Sequence, residues 1–177
     1  MNERKPTKIR IIGSVASGKT TLAKQLSQTF HIPMYELDNV VWERQQSGDI
    51  RRTDQEREAC LHTIVDSHSW IIEGVHNEGW VNNTFKEADI IIFLDTSYSI
   101  RQYRIVKRFV LQLLRLEQSN YTPTFKIFFK MFKWNKQFEQ NGKPNFKKNF
   151  HFYSDKTVYI TKSQQRKSLL TLINKDM

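Results

Sequence analysis

The chain has 177 residues, one cysteine and a formal net charge of +10. One cysteine excludes an internal disulfide, and no run approaches the roughly eighteen apolar residues that cross a bilayer, so neither a disulfide scaffold nor a membrane-spanning protein is expected. Residues 1–100 hold 11 Lys/Arg against 14 Asp/Glu (−3), and residues 101–177 hold 17 against 4 (+13), so the basic field belongs to the back half and is suited to polyanions such as ATP, a phosphorylated substrate or nucleic acid.

The length fits a single domain over 1–177, and no repeat or Pro/Gly/Ser linker divides it. The opening "MNERKPTK" has charge but no apolar core behind it, which does not read as a secretion signal. A lone Cys60 in a helical pattern fits a reduced, cytoplasmic setting, and the lack of a long apolar run leaves no membrane partner expected.

The first strand is expected at "KIRII", followed by "GSVASGKTT" and a helix over 19–30 in which Leu22 and Leu26 stand four apart. Gly13, Gly18, Lys19 and Thr20 satisfy the G-x-x-x-x-G-K-[ST] phosphate-binding pattern between a strand and a helix. The two glycines let successive N–H groups, through Ser14, Ala16 and Ser17, turn inward, and the helix directs its positive end at the same point. Lys19 suits outer phosphates, and the Thr20 hydroxyl suits Mg²⁺.

Later strands are expected at "PMYEL", "WIIEGV", "DIIIFLD" and "TVYITK", separated by helices over 54–68, 98–117 and 124–139, with a last helix over 163–174. Short apolar strands alternating with helices predict a three-layer α/β/α fold around a five-stranded, mainly parallel sheet. In such sheets ligands bind beyond the carboxyl ends of the strands, which directs attention to Asp38, Glu73, His76 and Asp95. Asp38 can orient or deprotonate an acceptor hydroxyl, or simply form a turn. Glu73 suits the water shell of Mg²⁺ or the acceptor side, or is a surface carboxylate. Asp95 ends its apolar run as a Walker-B aspartate does, or caps the next helix in competition with Thr96, Ser97 and Ser99. His76 reads as a loop residue or substrate contact rather than a base. The histidines show no metal-ligand spacing, so a structural zinc site is not expected.

Over 98–117, Ile105, Phe109, Leu113 and Leu116 share one helical face, while Arg101, Arg104 and Arg108 share another. Guanidiniums suit the spread charge of a transferring phosphoryl group, and Arg104 and Arg108 are the candidates for that task; Arg101 and Arg115 divide evenly between it and solvation. Phe125, Phe128, Phe129 and Phe132 stand at core spacing with lysines between them. They read as an amphipathic helix with buried Phe side chains rather than as a stacking surface for nucleic acid, which remains possible but not favoured. "EQNGKPN" reads as a loop.

Taken together, "GSVASGKTTLAKQL", "MYELDNVVWE", "WIIEGVHNE", "ADIIIFLDTS", "RQYRIVKR" and "KTVYITKSQQ" resemble the adenylate-kinase-like P-loop proteins labelled DNA topology modulation proteins. The resemblance implies a nucleoside-monophosphate-kinase-type fold using ATP and Mg²⁺, with a basic helical lid over about 101–150. Gly13, Ser17, Gly18, Lys19, Thr20 and Thr21 match its nucleotide loop, Asp38 its acceptor-side acid, and Arg104 and Arg108 its lid arginines. Glu73 replaces the family's usual Asp, and "SVAS" replaces a more glycine-rich loop. An ATP- and Mg²⁺-dependent phosphotransferase acting on a small-molecule or nucleotide acceptor is therefore expected; an ATP-binding regulator that touches DNA, and a simple hydrolase, are the alternatives.

Overall fold

The computed structural model describes residues 6–45, 48–117, 123–161 and 165. In chain order these form β1 (Lys8–Gly13), α1 (Lys19–Phe30), β2 (Met34–Glu36), α2 (Leu37–Val41), a ribbon of β3 (Trp42–Glu43) and β4 (Ile50–Arg51), then α3 (Asp54–Val65) and β5 (Trp70–Glu73). A short 3₁₀ turn leads to α4 (Asn82–Lys86), β6 (Ile90–Leu94), α5 (Tyr98–Leu113), α6 (Phe125–Gln137), α7 (Lys143–Asn149) and β7 (Thr157–Ile160). The main sheet has the order β2-β5-β1-β6-β7 with every pairing parallel. The five-stranded three-layer sheet expected from the sequence is the one observed.

Alternation along the strands divides the core into two layers. Ile9, Ile11, Ile71, Ile92 and Leu94 pack with Leu22, Ala23 and Leu26 of α1 on one face. Ile12, Trp70, Ile72, Ile91 and Phe93 pack on the other with residues of α2, α3, α4 and α7. Each face buries a full row of branched or aromatic side chains, because period-two geometry sends neighbours to opposite sides.

Helix α3 begins in a reciprocal cap. The Thr53 hydroxyl accepts from the Glu56 amide at 3.3 Å, and the Glu56 carboxylate accepts from the Thr53 amide at 2.9 Å. Thr53→Ala is expected to destabilise the protein by about 1 kcal/mol, read as a lower denaturant midpoint at unchanged slope.

Several expected boundaries differ. "PMYEL" is strand only through Glu36, and Leu37 opens α2 instead. The third helix ends at Val65, and the arginine helix ends at Leu113, beyond which Arg115 takes a left-handed φ of 59°. "EQNGKPN" is not a loop: Phe138–Gly142 is a π-helical turn, and Pro144 sits in the first turn of α7, where its missing N–H costs nothing. That short helix carries Phe146 into the core, where it stacks on Phe93 with ring centroids 4.6 Å apart. The phenylalanines of α6 also depart from expectation. Phe125 and Phe129 are exposed and Phe128 and Phe132 half-buried, while Met131 and Asn135 are the buried residues of that helix. A helical repeat identifies an apolar stripe but not whether the fold supplies a neighbour for it. The helix expected over 163–174 lies outside the described residues, apart from Gln165.

Candidate active site

The loop between β1 and α1 is held from three sides. Gly13 pairs with Leu94 across the β1–β6 register, and a β-carbon on it would lie 2.8 Å from Ser17 Oγ and 2.9 Å from the Leu94 carbonyl oxygen. Gly18 takes a φ of 92° immediately before α1, a conformation that favours glycine. Ala16 takes a φ of 58° despite its β-carbon, a strain on the order of 1 kcal/mol that this alanine carries where glycine would not. From the start of the α5 segment, the buried Thr96 hydroxyl donates to the Ser17 carbonyl at 3.1 Å. Arg104 donates to the Ala16 and Ser17 carbonyls at 3.3 and 3.2 Å. The Ala16 and Ser17 carbonyls are thus tied by Arg104 and Thr96, while the Ser17 amide turns back to donate to the Ser14 carbonyl at 3.2 Å.

Lys19 donates to the Ser14 carbonyl at 3.1 Å and lies 3.9 Å from Glu73 Oε2. The Thr20 hydroxyl donates to Glu73 Oε1 at 2.5 Å. Glu73 is buried and reaches this point because β5 is the immediate neighbour of β1. A hydroxyl beside a buried carboxylate is a hard-oxygen pair of the kind Mg²⁺ accepts. Among the described residues no group of three His, Cys, Asp or Glu could hold a metal ion. The Thr20–Glu73 pair fits the Mg²⁺ habit of taking one or two protein oxygens, with phosphate and water as the other ligands.

Asp95 stands on the other side of β1, after β6, and its carboxylate meets Lys143 Nζ at 2.7 Å. Lys143 also lies 3.7 Å from Glu139, which pairs with the buried Arg101. Asp95 thus already has a cation, delivered by the π-helical turn and α7, and it does not cap α5, whose N-cap is Ser97. Arg108 is directed elsewhere: its Nε donates to Glu117 at 3.1 Å. Of the two lid arginines expected from the sequence, the fold brings Arg104 to the loop and turns Arg108 toward Glu117.

On the β2 side, Asp38 lies in the first turn of α2 with an exposed carboxylate, and His76 Nε2 is 3.9 Å from it. The His76 ring meets Trp80 edge-on at 5.2 Å, and the Arg57 guanidinium lies 4.5 Å over the Trp80 ring. Glu36 pairs in register with Glu73. Burial raises its carboxyl above the ordinary value, helped by the negative charges of Glu73 and Asp38. Glu36 thus stands within electrostatic reach of both Glu73 and Asp38, while the Asp95 carboxylate faces Lys143 on the other side of β1. A cleft of about 620 Å³ opens beside it, lined in part by Tyr35, Glu36, Asn39 and Cys60, and contains none of the residues of the β1–α1 loop.

Glu78 lies 3.2 Å from His76 Nδ1 and accepts from the Asn77 amide at 3.1 Å. The His76 hydrogen bond is the largest of the effects that hold its carboxyl down from 4.5 to about 2. A carboxyl depressed on folding stabilises the protein above its unfolded pKa, and that contribution is lost as pH falls toward the folded value. Wild type should therefore lose thermal stability between about pH 4.5 and pH 2 more steeply than Glu78→Gln, measured as Tm against pH.

The sequence reading missed Arg10. Inside the apolar run "KIRII" it is fully buried, and it donates to the carbonyls of Ile11, Ile72, Gly74 and His76 at 2.7 to 3.3 Å. Burial lowers its guanidinium to about 9 against the opposing pull of Glu73 and Glu78, so it is charged at neutral pH. It fixes the segment that carries Glu73, His76 and Glu78. An arginine at an inward strand position was the available signal, since a charge is buried only when it is paired or saturated with hydrogen bonds.

No protein-family model matches the sequence, and no curated protein matches it. Solved structures do. A shikimate kinase from Acinetobacter baumannii in complex with shikimate matches with a TM-score of 0.58 at 15% identity, over 95% of this chain and 93% of that one. A gluconokinase from Sinorhizobium meliloti 1021 matches with a TM-score of 0.51 at 15% identity, over 98% and 93%. A shikimate kinase from Aquifex aeolicus matches with a TM-score of 0.50 at 16% identity, over 95% and 96%. The chain has the fold of the P-loop small-molecule kinases.

Proposed function

We propose that the protein is an ATP- and Mg²⁺-dependent phosphotransferase acting on a small hydroxylated acceptor. The observation that carries this reading is the placement of two unlike half-sites along neighbouring strand ends. Lys19, Thr20 and Glu73 stand at one, and Asp38 and His76 stand at the other, joined by the loop that Arg10 holds. In this reading Gly13, Ser14, Ala16, Ser17 and Gly18 of the loop and Thr21 of α1 hold the phosphates, and Lys19 neutralises the outer ones. Thr20 and Glu73 would hold Mg²⁺, directly or through water, and it would supply positive charge against the phosphate oxygens. Asp38 orients the acceptor hydroxyl and takes its proton as the new O–P bond forms and ADP departs. Arg104 meets the equatorial oxygens, and Arg108 joins it on release from Glu117. Asp95, held by Lys143, tunes the far side of the site rather than ligating the metal.

The resemblance to adenylate-kinase-like proteins keeps nucleotides among the acceptors, and the neighbours named as shikimate kinase and gluconokinase add hydroxylated acids. ADP formation from ATP and Mg²⁺ across nucleoside monophosphates, nucleosides, polyols and hydroxy acids tests the reading. One acceptor should stimulate turnover well above the rate with water alone; no stimulation by any, with ATP still bound, would reject it. The DNA-topology label of the resembling family enters only as a second reading, a nucleotide-dependent regulator contacting DNA through the +13 back half. Loss of all DNA binding at physiological salt would reject that reading.

A further inference from the structure

Helix α5 has two apolar faces. One is buried and carries Ile105 and Phe109 together with Arg101 and Gln112, so Arg101 shares the face of Ile105 rather than that of Arg104. Leu113 and Leu116, expected on that face, are exposed. The other face carries Ile100, Tyr103, Val106, Val110 and Leu113, continued by the C-cap Leu114, at helical spacing and each 43 to 66% exposed. Phe109 holds α6 against α5 by stacking on Phe128 at 4.4 Å and meeting Phe125 edge-on at 5.3 Å. Helix α6 adds exposed Phe125, Phe129 and Trp134. Neither helix contains an Asp or Glu, whereas α5 supplies Arg104, Lys107 and Arg108 and α6 supplies Lys126, Lys130, Lys133 and Lys136.

We propose that the α5–α6 hairpin docks on an anionic lipid surface, the stripe from Ile100 to Leu114 and the α6 aromatics entering the interface while the lysines meet the headgroups. Contiguous exposed apolar surface of this kind marks an interaction site, and aliphatic and aromatic residues flanked by Lys/Arg are the composition of an interfacial helix. Charge complementarity selects the occupant. A second copy of the chain would bring two acid-free basic helices face to face, and like charges oppose that contact. Single-stranded nucleic acid would use the aromatics and lysines but would leave the aliphatic stripe of α5 in water, because bases stack on rings. The sequence excludes a spanning segment, and no helix among the described residues is long and apolar enough to cross a membrane. A helix lying in the interface needs neither. Arg104 reaches the β1–α1 loop from the same helix, so docking would place that loop close to the lipid surface. The proposal rests on no part of the phosphotransferase reading.

The test is sedimentation of the full chain with phosphatidylcholine vesicles, with and without phosphatidylglycerol, at physiological ionic strength. Binding is expected only with the anionic lipid. It should weaken by about tenfold or more in Val106→Asp/Val110→Asp and persist in Gln55→Asp/Thr63→Asp, which adds the same two negative charges at exposed positions of α3. The parent positions are all exposed, so folding is expected to survive, and far-UV circular dichroism verifies it. A blue shift of emission that is lost in Trp134→Phe gives a second readout of insertion. No binding to anionic vesicles overturns the proposal, as does binding indifferent to the α5 substitutions, which is general charge attraction. A concentration-dependent dimer abolished by Val106→Asp/Val110→Asp overturns it in favour of a second copy. Single-stranded DNA binding with the same sensitivity overturns it in favour of nucleic acid.

Discussion

Lys19→Ala is expected to lower ATP-dependent phosphate transfer by about 10³-fold or more, while the protein unfolds at nearly the wild-type temperature. Catalysis of phosphoryl transfer is mostly positioning and charge stabilisation, so the cation nearest the outer phosphates carries a large share of it. Lys19 is well placed for that task because its stem leaves the first turn of α1 and its ammonium lies between the Ser14 carbonyl and Glu73. Its removal should not unfold the loop, because Thr96 and Arg104 hold the Ala16 and Ser17 carbonyls and the Ser17 amide holds that of Ser14. Steady-state rates paired with a melting curve separate the two effects. Transfer persisting in a folded Lys19→Ala protein would remove the β1–α1 loop from the chemistry.

The second large effect is expected at Asp38. Asp38→Asn keeps the volume of the side chain and its ability to meet an acceptor hydroxyl, but it cannot take the proton. The expected loss is about 10²- to 10⁴-fold in kcat, with KM for ATP unchanged. His76→Ala, which removes the group 3.9 Å from Asp38, should cost less and act mainly on KM for the acceptor. If Asp38→Asn retains full kcat, Asp38 is not the base. Glu36, whose carboxyl burial raises, is then the group beside Glu73 to examine.

Much of the fold could be read from the sequence because its signals are local. "IRIIG" and "IIIFL" are runs of branched and aromatic residues too short for helices, and both lie in the sheet as expected. The β1–α1 loop was legible for the same reason, since a strand, two glycines and a lysine within a dozen residues state their own geometry. What the sequence left hidden depends on partners far along the chain. Asp95 looks like a free carboxylate until α7 delivers Lys143, 48 positions later, and nothing near "FLDTS" announces it. Arg10 is hidden because its partners are carbonyls of β5 and the loop that follows, not charges. Glu36 joins Glu73 only through the β2–β5 register. The α6 phenylalanines failed in the opposite sense: the period was right, but the layer that would bury Phe125 and Phe129 is missing among the described residues. The stretch over about 101–150, expected as a basic helical lid, is in part a helical hairpin and in part a piece of core, because Phe138, Phe146 and Phe150 pack against the sheet.

The two half-sites also explain why a transferase is favoured over a hydrolase. In the proposed reading a hydrolase needs only Lys19, Thr20 and Glu73, whereas Asp38, which lies 3.9 Å from His76 beside Trp80, is the group offered to an acceptor hydroxyl. The fate of the γ-phosphate distinguishes the two most directly. With γ-labelled ATP, Mg²⁺ and the acceptor that most stimulates turnover, the account predicts that the label leaves ATP in equal amount with the ADP formed and appears on the acceptor. It also predicts that Lys19→Ala abolishes both. Label recovered as inorganic phosphate, whatever acceptor is offered, would contradict the account.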